Sequence, residues 1–139
     1  MARILAIDYG TKRVGLAVTD PLQIIATALE TVHSTQVINF LKTYCQRESV
    51  EAFVVGMPTN LDGSDTSNTP HVRGFLRILR KTFPEIPVHE HDERFTSVMA
   101  MQSLIAMGTT KKDRRDKGVV DRVSATIILQ SFIDSQPLK

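Results

Sequence analysis

The chain has 139 residues, 42% of them hydrophobic and 23% charged, with a formal net charge of +2. That length supplies one domain, residues 1–139, since domains commonly hold roughly 100–150 residues, and no apolar run approaches the ~20 residues that cross a bilayer, so a membrane protein is not expected. The charge permits nucleic-acid binding without demanding it, and the single cysteine, Cys45, reads as a buried structural thiol, with no partner for a disulfide and no neighbouring Cys for a metal.

The opening MARILAIDYG enters strand-like sequence at once, leaving no space for a charged segment, an apolar segment and a cleavage site, which predicts a cytoplasmic protein. RILAID and RVGLAVT read as two half-buried strands, the second alternating Val14, Leu16 and Val18 with Gly15 and Ala17. Tyr9 to Lys12 connects them as a hairpin in which Gly10 is free to take a positive φ. IIATALETV continues as a third strand.

A helix capped by Ser34 follows, burying Val37, Ile38, Leu41, Tyr44 and Cys45 as one stripe. EAFVVGM, apolar without alternation, suits a central parallel strand covered on both faces. Thr69 and Pro70 supply the cap and first position of a second helix with Val72, Phe75, Leu76, Leu79 and Phe83 inward. Arg73, Arg77, Arg80 and Lys81 form its outer, solvated face. IPVHEH is a fifth strand, FTSVMAMQSLIAMG a third helix ending at Gly108, and GVVDRVSATIILQSFID a last helix. The order β-β-β-α-β-α-β-α-α implies an α/β fold: a five-stranded mixed sheet, its first three strands antiparallel, flanked by helices.

In such a sheet ligands bind beyond the carboxyl ends of the parallel strands. Three segments meet there: Asp8 at the end of the first strand, GMPTNLDGS after the fourth and DERFTS after the fifth. An ionised carboxylate in an apolar run is costly unless a cation, a metal or hydrogen-bond donors compensate it. Asp121, in the first turn of the last helix, shares a face with Ala125, Ile128 and Phe132, at offsets of 4, 7 and 11. Singly, each acid has an ordinary reading as a satisfied polar contact or a helix N-terminal charge. Asp8, Asp92 or Glu93, and Asp121 near one edge instead suggest carboxylates neutralised by a hard divalent cation. His89 and His91 share one strand face, but no third ligand completes a zinc set.

DYGTKRVGLAVTD, VGMPTNLDGS, DERFTS and VVDRVSATIILQSFID resemble the successive motifs of the YqgF/RuvX family, relatives of the RuvC Holliday-junction resolvases with an RNase H-like fold. The resemblance runs from Ile4 to Asp134; its middle motif often has Leu where this chain has Thr59. Membership implies Asp8, an acid of the DER motif and Asp121 as the catalytic, metal-binding set, with Asp8 bridging two Mg²⁺ or Mn²⁺ ions. Between Asp92 and Glu93, which point opposite ways on an extended segment, Glu93 is preferred.

Such a set supports hydrolysis of phosphodiester bonds, with one ion activating water and the other stabilising the leaving oxygen. Lys12, Arg13 and Arg94 are candidate phosphate contacts, as are Asn60 and Ser64 around Gly63. KKDRRDK, with five basic and two acidic side chains, reads as a solvated loop on charge alone; before the helix bearing Asp121, its Lys111, Lys112, Arg114 and Arg115 are candidate nucleic-acid contacts. The resemblance implies two substrates, the 5′ end of precursor 16S rRNA, placed first as the family role, and branched DNA; no motif here reads a sugar 2′-hydroxyl. Ribosomal precursor particles are the implied partners, and a monomer or weak homodimer is the acting unit. Two other readings stand beside it. The opening motif also resembles the phosphate loop of the actin, Hsp70 and sugar-kinase superfamily, which needs two such domains; a non-catalytic RNA-binding ribosome-maturation factor would keep the acids for structure.

Overall fold

The computed structural model describes residues 2–58, 62, 64–92 and 117–135, with the side chains of 117–121 outside the description. Five strands, β1 (Arg3–Tyr9), β2 (Arg13–Thr19), β3 (Ala26–His33), β4 (Val50–Met57) and β5 (Val88–Asp92), form one sheet in the order β3-β2-β1-β4-β5. β1 and β2, and β2 and β3, pair antiparallel, whereas β4 runs parallel to both β1 and β5. The mixed sheet expected from the order of elements is therefore the one observed. The helices are α1 (Val37–Arg47), α2 (Thr69–Thr82) and α3 (Lys117–Ser135). The helix expected over Phe95–Gly108 lies outside the described residues.

Strand alternation sorts the core into two faces. Leu5, Ile7, Val14, Leu16, Phe53 and Val55 pack with Val37, Leu41 and Tyr44 of α1 and Val72, Phe75, Leu76 and Leu79 of α2. Ile4, Ala6, Ala17, Ala52 and Val54 pack with Ala125, Ile128, Leu129 and Phe132 of α3. The alanines on the second face let α3 lie close to the sheet. β1 and β4 feed both clusters, which is why their apolar runs are nearly unbroken. Cys45 is partly buried against the first cluster, and burial pushes its thiol pKa up, keeping it protonated and unreactive at neutral pH.

Four local expectations are corrected. Ser34 does not cap α1: Gln36 holds that position, and the Ser34 hydroxyl donates to the Thr11 carbonyl at 2.7 Å. Thr69 is not the cap of α2 but its first residue, after Asn68; its hydroxyl accepts the Thr66 N–H at 2.8 Å and donates to the Pro58 carbonyl at 2.9 Å. Ile24 and Ile25 precede β3, because the Asp20 carboxylate takes the N–H groups of Leu22, Ile24 and Ile25 at 2.8–3.0 Å and holds them in a turn. Gly10 does not use positive φ; a Cβ there would sit 2.6 Å from the Arg13 carbonyl oxygen, which accepts the Gly10 N–H. Close approach explains this glycine.

Candidate active site

Asp8 is the penultimate residue of β1 and half-buried. Ile4 and Ala6 face α3, so alternation assigns Asp8 to that face as well. Its partner across β2 is Gly15. On the other side Ile7 pairs with Val55, so the next residue of β4, Gly56, flanks Asp8 in turn. Glycine on both neighbouring strands leaves no Cβ beside the carboxylate. The first-strand acid is thus held by a central strand paired on both sides.

Two hydrogen bonds orient α3. Arg122 Nη1 donates to Thr31 Oγ1 at 3.2 Å, and the Ala26 N–H donates to Gln130 Oε1 at 3.4 Å. Thr31 pairs with Gly15 and extends the row Asp8–Gly15–Thr31, while Ala26 lies opposite Thr19 at the other end of the sheet. The helix therefore starts at the Asp8 end, and that start carries Asp121. Within Lys117–Ser135 Asp121 lies beyond the first turn, which holds no acid, so it does not occupy the first-turn position expected for it. Ala125, Ile128 and Phe132, at 0%, 1% and 8% exposure, bury the stripe that the spacing from Asp121 predicted. The Asp121 side chain itself is outside the described set.

Asp92 ends β5, two strands from β1 and so about 10 Å away. His89 and His91 lie against Phe132 of α3, with ring centroids 5.1 and 6.3 Å apart, and His91 Nε2 is 2.9 Å from Ser131 Oγ. Glu90 accepts a hydrogen bond from Arg80 of α2 at 3.4 Å. With the histidines on the α3 face, alternation places Asp92 with Glu90 on the α2 face, away from Asp8. Glu93, Asn60, Arg94, Lys111, Lys112, Arg114 and Arg115 lie outside the described residues.

Lys12 and Arg13 sit at the β1–β2 turn, just past Asp8, and Ser64 is exposed, its N–H and hydroxyl both donating to Asp62 at 2.9 and 2.6 Å. The outer face of α2 is less available than its composition suggests. Arg73 makes two hydrogen bonds to Asp65, at 2.8 and 3.2 Å, which raise the guanidinium pKa further, and Arg80 pairs with Glu90. Asn68 and His71 at the entry to α2, which the motifs do not include, border the turn: Asn68 Nδ2 donates to the Tyr9 carbonyl at 2.8 Å. Their only sequence signal is the run of small polar residues before Pro70.

Among the described residues no three His, Cys, Asp or Glu side chains come together as a metal site. The chemistry at Asp8 nevertheless fits a hard divalent cation. Its donors are carboxylate oxygens, the ligand type such a cation prefers, whereas the nearby histidines on that face contact Phe132 and Ser131.

The sequence model of the RuvX family, described as Holliday junction resolvase, matches residues 2–135. A protein of Amoebophilus asiaticus is 53% identical over 135 residues, 97% of this chain and 96% of its own length. One of Christiangramia forsetii is 52% identical over 133 residues, 96% and 98% of the two chains. Both carry the name "Putative pre-16S rRNA nuclease". Among solved structures, T. thermophilus RuvC in complex with Holliday junction substrate aligns with a TM-score of 0.58 at 16% identity, covering 96% of this chain and 94% of that one. A second Thermus thermophilus RuvC structure aligns at 0.55 and 15% identity, covering 98% and 99%. These alignments establish the RNase H-like fold. With its sequence matched by the family pattern from residue 2 to residue 135, this chain belongs to the RuvX family.

Proposed function

We propose that this protein is a divalent-metal-dependent nuclease that processes the 5′ end of precursor 16S rRNA in the cytoplasm. The observation that carries the reading is Asp8 on the central strand, flanked by Gly15 and Gly56, at the end of the sheet where α3 begins, with Asp121 just past its first turn. Asp8, Glu93 and Asp121 are the proposed catalytic and metal-binding carboxylates; Asp92, on the opposite sheet face, is left as a support. Two Mg²⁺ or Mn²⁺ ions would supply charge neutralisation at the scissile phosphate and a deprotonated water. The chain's own contribution is position. Asp8 is fixed by β-pairing on both sides, and the glycines admit a phosphate beside it. Lys12, Arg13 and Arg94, with Asn60, Ser64 and the segment Lys111, Lys112, Arg114 and Arg115, draw in the nucleic-acid backbone.

The choice of RNA follows the names of the relatives at 52–53% identity. Branched DNA is the second reading, favoured by the family description and by the junction-bound RuvC with the same fold. The deciding experiment incubates pure protein with precursor-like structured RNA and with four-way DNA junctions in Mg²⁺ or Mn²⁺, with Asp8→Asn as control. Cleavage of RNA that the variant lacks supports the reading. Cleavage of junctions alone selects the resolvase, and RNA binding without cleavage of either substrate selects a non-catalytic maturation factor.

A further inference from the structure

On the sheet face away from Asp8, a cavity of about 480 Å³ opens between the β1–β2 turn and the entry to α2, lined by Gly10, Thr11, Lys12, Arg13, Ser67, Asn68 and His71. Tyr9, whose ring stacks on Phe75 of α2 at 4.5 Å, marks that face. Among the described residues no acidic side chain lines it. The acid closest in sequence to Ser67, Asp65, is engaged by Arg73. The Lys12 ammonium, two hydroxyls, an amide and an imidazole border a space rich in hydrogen-bond donors, while strand alternation turns the Arg13 side chain toward the Asp8 face.

The turn that presents these groups is held from both sides. Asn68 Nδ2 donates to the Tyr9 carbonyl at 2.8 Å. The Ser34 N–H and hydroxyl donate to the Lys12 and Thr11 carbonyls at 3.0 and 2.7 Å. Those backbone oxygens, which would repel an anion, are thereby occupied, and little ordering remains to be done when a ligand arrives. The volume falls within the range of about 300–1,000 Å³ typical of ligand clefts, more than a bare phosphate needs. Among the described residues no aromatic ring lines the cavity to stack a base.

We propose that this cavity grips a backbone phosphate, with its sugar, of the nucleic-acid strand at a point remote from the bond to be cut. The proposal rests on the nuclease reading above and adds a second anchor to it. Gly10 lies about 7 Å beyond Asp8 by strand rise, and the cavity opens on the other face of the sheet, so the gripped phosphate is a different one from the scissile phosphate. Contact through phosphate and sugar alone positions the strand without reading its sequence.

The test is fluorescence anisotropy of single-stranded RNA and DNA 12-mers of unrelated sequence, in Ca²⁺ to limit cleavage, titrated over salt. The wild type is compared with Lys12→Gln/His71→Gln, with Lys12→Arg, and with Lys42→Gln on α1 as a charge control; circular dichroism checks folding. The double variant should bind every sequence several-fold more weakly and flatten the log affinity against log salt slope by about 0.7 for every phosphate it no longer neutralises. Lys12→Arg should restore most of the affinity, and Lys42→Gln should match the wild type. Amide shifts on titration with inorganic phosphate report whether Gly10–Arg13 and Ser67–His71 respond to phosphate itself. If those amides shift while the slopes of wild type and double variant coincide, the cavity takes a small phosphate and strand gripping is overturned. Coincident slopes with no shift overturn the site altogether. The Asp8→Asn protein, run in parallel, separates this outcome from failure of the nuclease reading: it should lose cleavage in Mg²⁺ and keep the wild-type slope in Ca²⁺.

Discussion

Asp92 and Glu93 are adjacent carboxylates, and the proposed roles part them: Asp92 ends β5, whereas Glu93 lies outside the described residues. Glu90 on the α2 side and His91 on the α3 side fix the phase of β5, and Asp92 follows Glu90. An acid on that face cannot share ions with Asp8 through the sheet. Asp92→Asn should therefore retain cleavage within about tenfold, whereas Glu93→Gln should lose roughly 100-fold or more, the scale on which misplacing a positioned group acts. Initial rates on structured RNA in Mn²⁺ measure both, and the reverse ranking would assign the metal to Asp92. Beside Asp8 itself the two neighbouring strands present glycines, Gly15 and Gly56, and so no Cβ.

At the scale of elements, the entry to α2 depends on a buried hydroxyl rather than on a cap. Thr69, 1% exposed, joins the Thr66 N–H to the Pro58 carbonyl, tying the exit of β4 to the start of the helix. Thr69→Val keeps the shape and orphans both partners, so urea unfolding should show a destabilisation of about 1–3 kcal/mol. The β2–β3 turn rests on a charge instead. The N–H of Ile25 above all, with those of Ile24 and Leu22, holds the Asp20 carboxyl below its ordinary value of 3.8. A depressed folded pKa contributes stability that is present above the unfolded value and lost as pH falls through the folded one. Asp20→Asn should accordingly show a smaller drop in urea midpoint between pH 6 and pH 3 than the wild type, and an equal drop would remove Asp20 from the acid limb.

Across the whole molecule, the sheet separates two tasks. Its α3 face carries Asp8 and the start of the last helix, and its α2 face carries the basic cavity; both open at the same end of β1. A strand with its scissile phosphate at Asp8 would then meet positive charge on more than one side. Replacing Lys111, Lys112, Arg114 and Arg115 together by Ser should weaken RNA and DNA binding across sequences and flatten the salt slope by about 0.7 for each single-strand phosphate left without its cation. Manganese affinity, measured by isothermal titration, should stay within about twofold because these side chains carry no metal-binding oxygen. Identical salt slopes would leave the segment merely solvated and turn attention to Arg77 and Lys81, the cations of the α2 face without ion pairs among the described residues.

The sequence by itself determined the strands, their alternation and the anomaly of Asp8, because hydrophobic period and the cost of an ionised group in an apolar run are local properties. RVGLAVT shows which side chains go inward whatever it pairs with, and the stripe of Ala125, Ile128 and Phe132 is legible from spacing alone. Caps and strand ends were less legible: Ser34, Thr69 and Ile24 are ordinary candidates locally, yet Ser34 and Thr69 take their actual places through hydrogen bonds to other segments and Ile24 through the Asp20 carboxylate of its own turn. Only the tertiary structure decided which face Asp92 takes, that Gly15 and Gly56 flank Asp8, and that Asn68 and His71 close a cavity against the first hairpin. Those features depend on strand register and on pairings such as Asn68 to Tyr9 and Arg122 to Thr31, which join residues 59 and 91 positions apart, and no local period encodes which distant side chain completes a hydrogen bond.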